Sequence, residues 1–99
     1  PQPLPKDFET FHEIISNENL TVERIISTGH ATPDGQWLED DRNEWVILLQ
    51  GEAQLVFEEG KTHTLRTGDY ISIPKNKKHK VSKTSIDPPC IWLAIYHLP

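Results

Sequence analysis

What this chain has little of narrows it first. Its one cysteine, Cys90, cannot form an intrachain disulfide, so a reducing, cytoplasmic setting is expected. No window approaches the roughly 18 apolar residues of a membrane-spanning helix. The opening residues PQPLPKDFET lack the basic and apolar regions of a secretory leader, and no membrane partner is expected. Ten Lys and Arg face fifteen Asp and Glu, and the net charge of −5 argues against a general attraction to nucleic acid. Gly-rich phosphate loops, nucleophile-elbow serines, internal repeats and low-complexity tracts are absent too.

What is present describes an ordinary globular chain. Its 99 residues, 35% apolar and 25% charged, suffice for one domain that buries roughly 60 to 65% of the unfolded surface. Residues 1–5 contain three prolines and predict an extended arm. Phe8, Phe11, His12 and Ile15 then recur at helical spacing, so a short amphipathic helix is expected within residues 1–20. From Thr21 to the end, residues 21–99, the period shifts toward two, and turn residues such as Gly51, Gly60, Gly68 and Pro74-Lys75-Asn76 interrupt short β-type runs. That rhythm predicts an all-β antiparallel barrel or sandwich with strands VERIIST, EWVILLQ, AQLVFEE, KTHTLRT, DYISIP, HKVSKT and IWLAIYHL.

The second of these strands poses a chemical problem. Alternation puts Glu44, Val46 and Leu48 on one face and Trp45, Ile47 and Leu49 on the other. With both faces apolar, the strand needs the barrel interior on one side and a helix or partner subunit on the other. Glu44 then stands in register with buried side chains, where a carboxylate is costly unless paired, protonated or bound to a cation. Standing at the strand's first residue, it could also simply reach solvent or a backbone N–H.

The spacing around Glu44 resembles the cupins, small antiparallel β-barrels of the jelly-roll type. Their first motif ends in Glu, six residues, Gly, as Glu44 and Gly51 do. In their second motif, Gly68, Pro74 and His79 fall on the family's marks, while Asn76 replaces a Gly and Lys83 an Asn. Asn tolerates the left-handed backbone that a tight turn needs. The resemblance spans about residues 21 to 96 and looks like that of small single-domain bacterial members. It implies a barrel with a small-molecule pocket at one end.

The family's metal set cannot be carried over whole, because its His-x-His would fall at Trp37 and Glu39 or at Leu38 and Asp40. What the resemblance leaves is Glu44 and His79 meeting in the barrel mouth, with Glu39 or Asp40 as a second carboxylate and His30 folded in by a loop. Such a set suits divalent Fe, Mn, Zn, Ni or Co. The leading expectation is a metal-dependent binding protein or metal-assisted enzyme acting on a small polar substrate. A metal-free binding or sensor module, with His79 and Glu44 as a satisfied polar pair, is the alternative. Trp37 and Asp40 are candidate ligand contacts, and Trp45 suits a packing or homodimer role. His12, His63 and His97 read as surface or strand-edge residues. The lysines of KNKKHKVSK, Lys75 to Lys83, read as a solvated loop and blunted edge strand, with docking of an anionic partner as a third reading.

Overall fold

A computed structural model describes residues 9–98, so the proline arm expected at residues 1–5 lies outside the described part. Eight strands fill the rest: β1 Thr10–Ser16, β2 Leu20–Ser27, β3 Asn43–Gln50, β4 Glu52–Phe57, β5 Thr62–Arg66, β6 Tyr70–Ile73, β7 His79–Thr84 and β8 Cys90–His97. They form a five-stranded sheet, ordered β1-β2-β8-β3-β6, and a three-stranded sheet, ordered β5-β4-β7, with every pairing antiparallel. The seven strands expected after Thr21 are all found, each within two residues of its expected ends.

The expected N-terminal helix is corrected. Thr10–Ser16 is an edge strand paired with β2, and no helix occurs among the described residues. A helix this short is marginal in water, whereas pairing with β2 satisfies its backbone at once. A register shift between Glu13 and Ile15 breaks the period of two, which is why the apolar spacing mimicked a helix.

The core lies between the sheets. Val46, Leu48, Trp92 and Ala94 from the larger sheet meet Ala53, Leu55, Phe57 and Leu65 from the smaller one, all buried. Alternation therefore turns Glu44 inward and Trp45 outward, and it assigns Trp92, Ala94 and Tyr96 to the inner face of β8.

Residues 28–42, between β2 and β3, position the site. Leu38 and His79 exchange backbone hydrogen bonds of 2.7 and 3.1 Å, and the Val81 amide donates to the Thr32 hydroxyl at 3.0 Å. This segment thus covers the free edge of β7 and crosses one end of the barrel. Its far end is tied by the Asn76 amide, which donates to the Asp40 carbonyl at 2.7 Å from a turn where Asn76 has φ 62°. That is the left-handed backbone for which the family uses Gly.

Gly51 closes the other end. Its φ is 100°, and a Cβ there would lie 2.7 Å from Ser85 Oγ and 3.0 Å from Cys90 Cα. Gly51→Ala is expected to lower stability by more than about 1 kcal/mol, read as a lower urea midpoint. An unchanged midpoint would mean that the β3–β4 turn is built differently.

Candidate functional site

A cavity of about 360 Å³ opens at the end of the barrel crossed by residues 28–42. Its apolar walls come from both sheets, including Ile25, Val46, Leu55, Ile73 and Trp92, and its polar lining includes Glu44, His79 and Tyr96. Glu44 is the second residue of β3 and His79 the first of β7, so the two carry the two sheets' polar groups to the same place.

His79 Nε2 lies 3.8 Å from Glu44 Oε1, and the side chains are only 7% and 12% exposed. That separation is too long for a direct hydrogen bond, and a donor seated beside the pair can reach both atoms. On the other side of the ring, His79 Nδ1 lies 2.8 Å from the Lys77 carbonyl, which can only accept. The neutral ring is thereby assigned its proton on Nδ1 and a free lone pair on Nε2, turned toward Glu44.

Glu44 is pushed up from 4.5 to about 7, first by burial and then by the negative charges of Asp40 and Glu23. Near neutrality the carboxyl is therefore poised between its two states. Tyr96, opposite Glu44 in the β3–β8 ladder, is raised above its usual range by burial first and then by the negative charges of Glu44, Glu23 and Asp40. It lines the cavity as a neutral phenol.

The remaining candidates occupy distinct places. Asp40 lines the cavity but is committed to Arg42, whose Nε and Nη2 donate to its two oxygens at 2.9 and 3.1 Å. These bonds hold the Asp40 carboxyl below the usual carboxylate range. Arg42 also donates to the Thr21 hydroxyl and stands 4.6 Å above the Tyr96 ring. Glu39 lines the cavity and is exposed. His30 lines it as well, with Nδ1 accepting from the Thr28 amide at 2.9 Å, while its Nε2 is buried without a partner among the described residues. Trp37 is not part of the lining; its ring lies 5.0 Å beneath the Lys80 ammonium. Lys77 pairs with Glu59 at 2.9 Å and Lys78 lies 3.9 Å from Glu58, so those lysines face local carboxylates rather than the cavity.

Sequence reasoning missed Tyr96, Arg42, Glu9 and Phe11 as neighbours of the site. Tyr96 shares an alternating face with Trp92 and Ala94, and only the β3–β8 register reveals that it stands across from Glu44.

The donor set does not complete a cation site. Among the described residues no three His, Cys, Asp or Glu side chains gather closely enough to hold an ion. His30 is held in the tautomer with its proton on Nε2, the wrong state for donating that nitrogen to a metal. Two donors, Glu44 and His79, fall short of the three protein ligands of an ordinary catalytic metal centre.

Residues 26–96 match the family model described as the cupin domain. The chain belongs to the cupins. Among solved structures, this cupin is similar to a candidate mannose-6-phosphate isomerase from Ralstonia eutropha, at 32% identity and TM-score 0.92, over 98% of this chain and 91% of that one. It shares its fold with a cupin superfamily protein from Desulfitobacterium hafniense, at 15% identity and TM-score 0.82, over 99% and 84% of the two chains. A DMSP lyase from Ruegeria pomeroyi shares the fold at 19% identity and TM-score 0.77, over 95% and 50%. No curated protein matches the sequence.

Burial of Glu44 links the site to stability. Below pH 4.5 the folded and unfolded chains both carry the proton, and no penalty arises. Between 4.5 and about 7 the unfolded chain releases a proton that the folded one retains, so stability falls as pH rises, by about 3 kcal/mol in all. Thermal unfolding of the wild type is expected to drop by several degrees between pH 5 and pH 8 relative to Glu44→Gln. Parallel profiles for the two proteins would refute the raised carboxyl.

Proposed function

We propose that this cupin binds a small molecule with an apolar body in the barrel cavity and that Glu44 and His79 exchange a proton with it. The observation that carries this reading is the poised carboxyl of Glu44, raised to about 7, facing the His79 Nε2 lone pair across 3.8 Å. A hydroxyl or a water seated beside the pair reaches both groups, and a carbonyl oxygen reaches protonated Glu44. Protonated Glu44 can donate to such an oxygen, and His79 can take a proton from a neighbouring O–H or C–H. The neutral phenol of Tyr96 is a further hydrogen-bond donor to the same guest. Proton transfer of this kind is the chemistry of isomerases and lyases, but a sugar phosphate, the substrate class named for the Ralstonia relative, needs cationic partners. The described lining contains neither Lys nor Arg.

The proton transfer needs only these side chains, since among the described residues Glu44 and His79 have no third ligand beside them with which to hold a metal. A carbon-13 carboxyl NMR titration tests the reading: the Glu44 signal, identified by its loss in Glu44→Gln, is expected to titrate near pH 7 and to move in His79→Ala. A midpoint at the ordinary carboxylate value would overturn it. So would equimolar Fe, Mn, Ni or Zn retained after dialysis and lost in both Glu44→Ala and His79→Ala.

We further infer that a second copy covers the outer face of the five-stranded sheet. Val22, Trp45, Ile47, Leu93 and Ile95 point outward together, half-buried, and Tyr70, 65% exposed, stands 5.5 Å from Trp45. No element covers them among the described residues. Five strands about 4.8 Å apart and about 25 Å long present an area of roughly 500 Å² per copy, about 1,000 Å² for a pair, the lower bound for a specific interface. Such a face is a homodimer surface or an aggregation liability. Light scattering is expected to give twice 11.4 kDa for the wild type and 11.4 kDa for Ile47→Glu/Leu93→Glu. A wild-type monomer at micromolar concentration would sink the dimer.

A further inference from the structure

We propose that the barrel cavity selects a small organic cation, an ammonium group carried on an apolar or aromatic body. This inference rests on reading the cavity as a ligand site and names the class of ligand it takes.

Charge is the first ground. Four carboxylates line the cavity, from Glu9, Glu39, Asp40 and Glu44, and no Lys or Arg accompanies them among the described lining residues. Only Asp40 has its charge matched, by the two-bond pairing with Arg42. Glu9 accepts a hydrogen bond from Ser27 Oγ at 2.5 Å, which orients its carboxylate without neutralising it. Glu39 has no cationic partner within salt-bridge distance among the described residues. A cavity whose fixed charges share one sign draws the opposite charge and repels its own.

The acceptors supply a second, independent ground. The His79 side chain is more than nine-tenths buried, its Nδ1 proton is committed to the Lys77 carbonyl, and its Nε2 lone pair has no hydrogen-bond partner among the described residues. That lone pair and Glu44 Oε1, 3.8 Å apart, form two acceptors with no donor between them. An ammonium nitrogen seated there donates to both at once. An anionic head in the same place would set oxygen lone pairs against a lone pair and a carboxylate.

The walls suit the rest of such a molecule. Phe11, Trp92 and Tyr96 are among the residues lining the cavity, and aromatic faces attract cations. The Arg42 guanidinium, 4.6 Å from the Tyr96 ring centre, already uses that attraction from one side. A volume of about 360 Å³ admits a single ring with a short side arm.

Three molecules of one shape separate charge from fit: 2-phenylethylamine, 2-phenylethanol and phenylacetate, each titrated into the full-length protein at pH 8 and followed by NMR and calorimetry. The amine is expected to bind at least about tenfold more tightly than phenylacetate, and to weaken as salt rises from about 20 to about 300 mM. Glu39→Gln is expected to weaken the amine several-fold and to leave 2-phenylethanol unchanged. Equal binding of all three, each lost in His79→Ala, would overturn the cation preference and leave the cavity reading intact. Tighter binding of phenylacetate or of mannose 6-phosphate would do the same. If no member of the set perturbs the cavity resonances at about 10 mM, an occupancy that even millimolar affinity would reach, the ammonium inference falls. The Glu44 titration, which uses no ligand, then decides the proton-transfer reading separately.

Discussion

Keeping the Glu44 carboxyl out of water is the constraint around which this end of the barrel is arranged. A carboxylate at the start of a buried strand is unfavourable unless something answers it, and the fold answers with partial protonation and an imidazole rather than with a salt bridge to Lys or Arg. The nearest guanidinium, Arg42, is given to Asp40, so the field at Glu44 stays negative and its proton is held to near neutrality. Both groups of the pair stand at strand ends, where a small change of register would carry them away from one another.

That arrangement ties stability to the protonation of the site. The protein carries an energetic penalty at neutral pH for a carboxyl that would be easier to keep as an amide, and such penalties gather where chemistry is done. The surrounding structure tolerates it because the walls are otherwise well supplied. Trp92, Val46, Leu55 and Ile73 exclude water from around the pair, and the Leu38–His79 backbone bonds keep β7 from fraying beside it. The cavity and the apolar outer face proposed for a second copy are opposite sides of the same sheet, so strands β3 and β8 present one set of side chains to the cavity and the other to the outer face.

Much of the barrel was readable from residue order because its signals are local. The Glu44–Gly51 interval reflects a strand and the left-handed turn after it, and Gly68, Pro74 and His79 mark a strand, a turn and the start of the next strand. Asn76 at φ 62° shows why its substitution for Gly leaves the turn unharmed. The first strand was illegible for a physical reason as well: its bulge at Ile14 erases the alternation, and an edge strand's pairing depends on residues that lie beyond any local window. Trp37 illustrates the same limit, since its proximity to the acidic run says nothing about which side of the covering segment its ring takes.

Residue order by itself determined the family, the strand succession and the two side chains worth watching, Glu44 and His79, because period, turn chemistry and motif spacing act over a few residues at a time. Tertiary structure alone decided that Tyr96 faces Glu44, that Asp40 is spoken for by Arg42, that His30 turns its proton-bearing nitrogen into a buried corner, and that the described cavity lining carries carboxyl groups without Lys or Arg. Those facts depend on strand register and on the path of residues 28–42 across the barrel, and both are set by contacts between segments far apart in the chain.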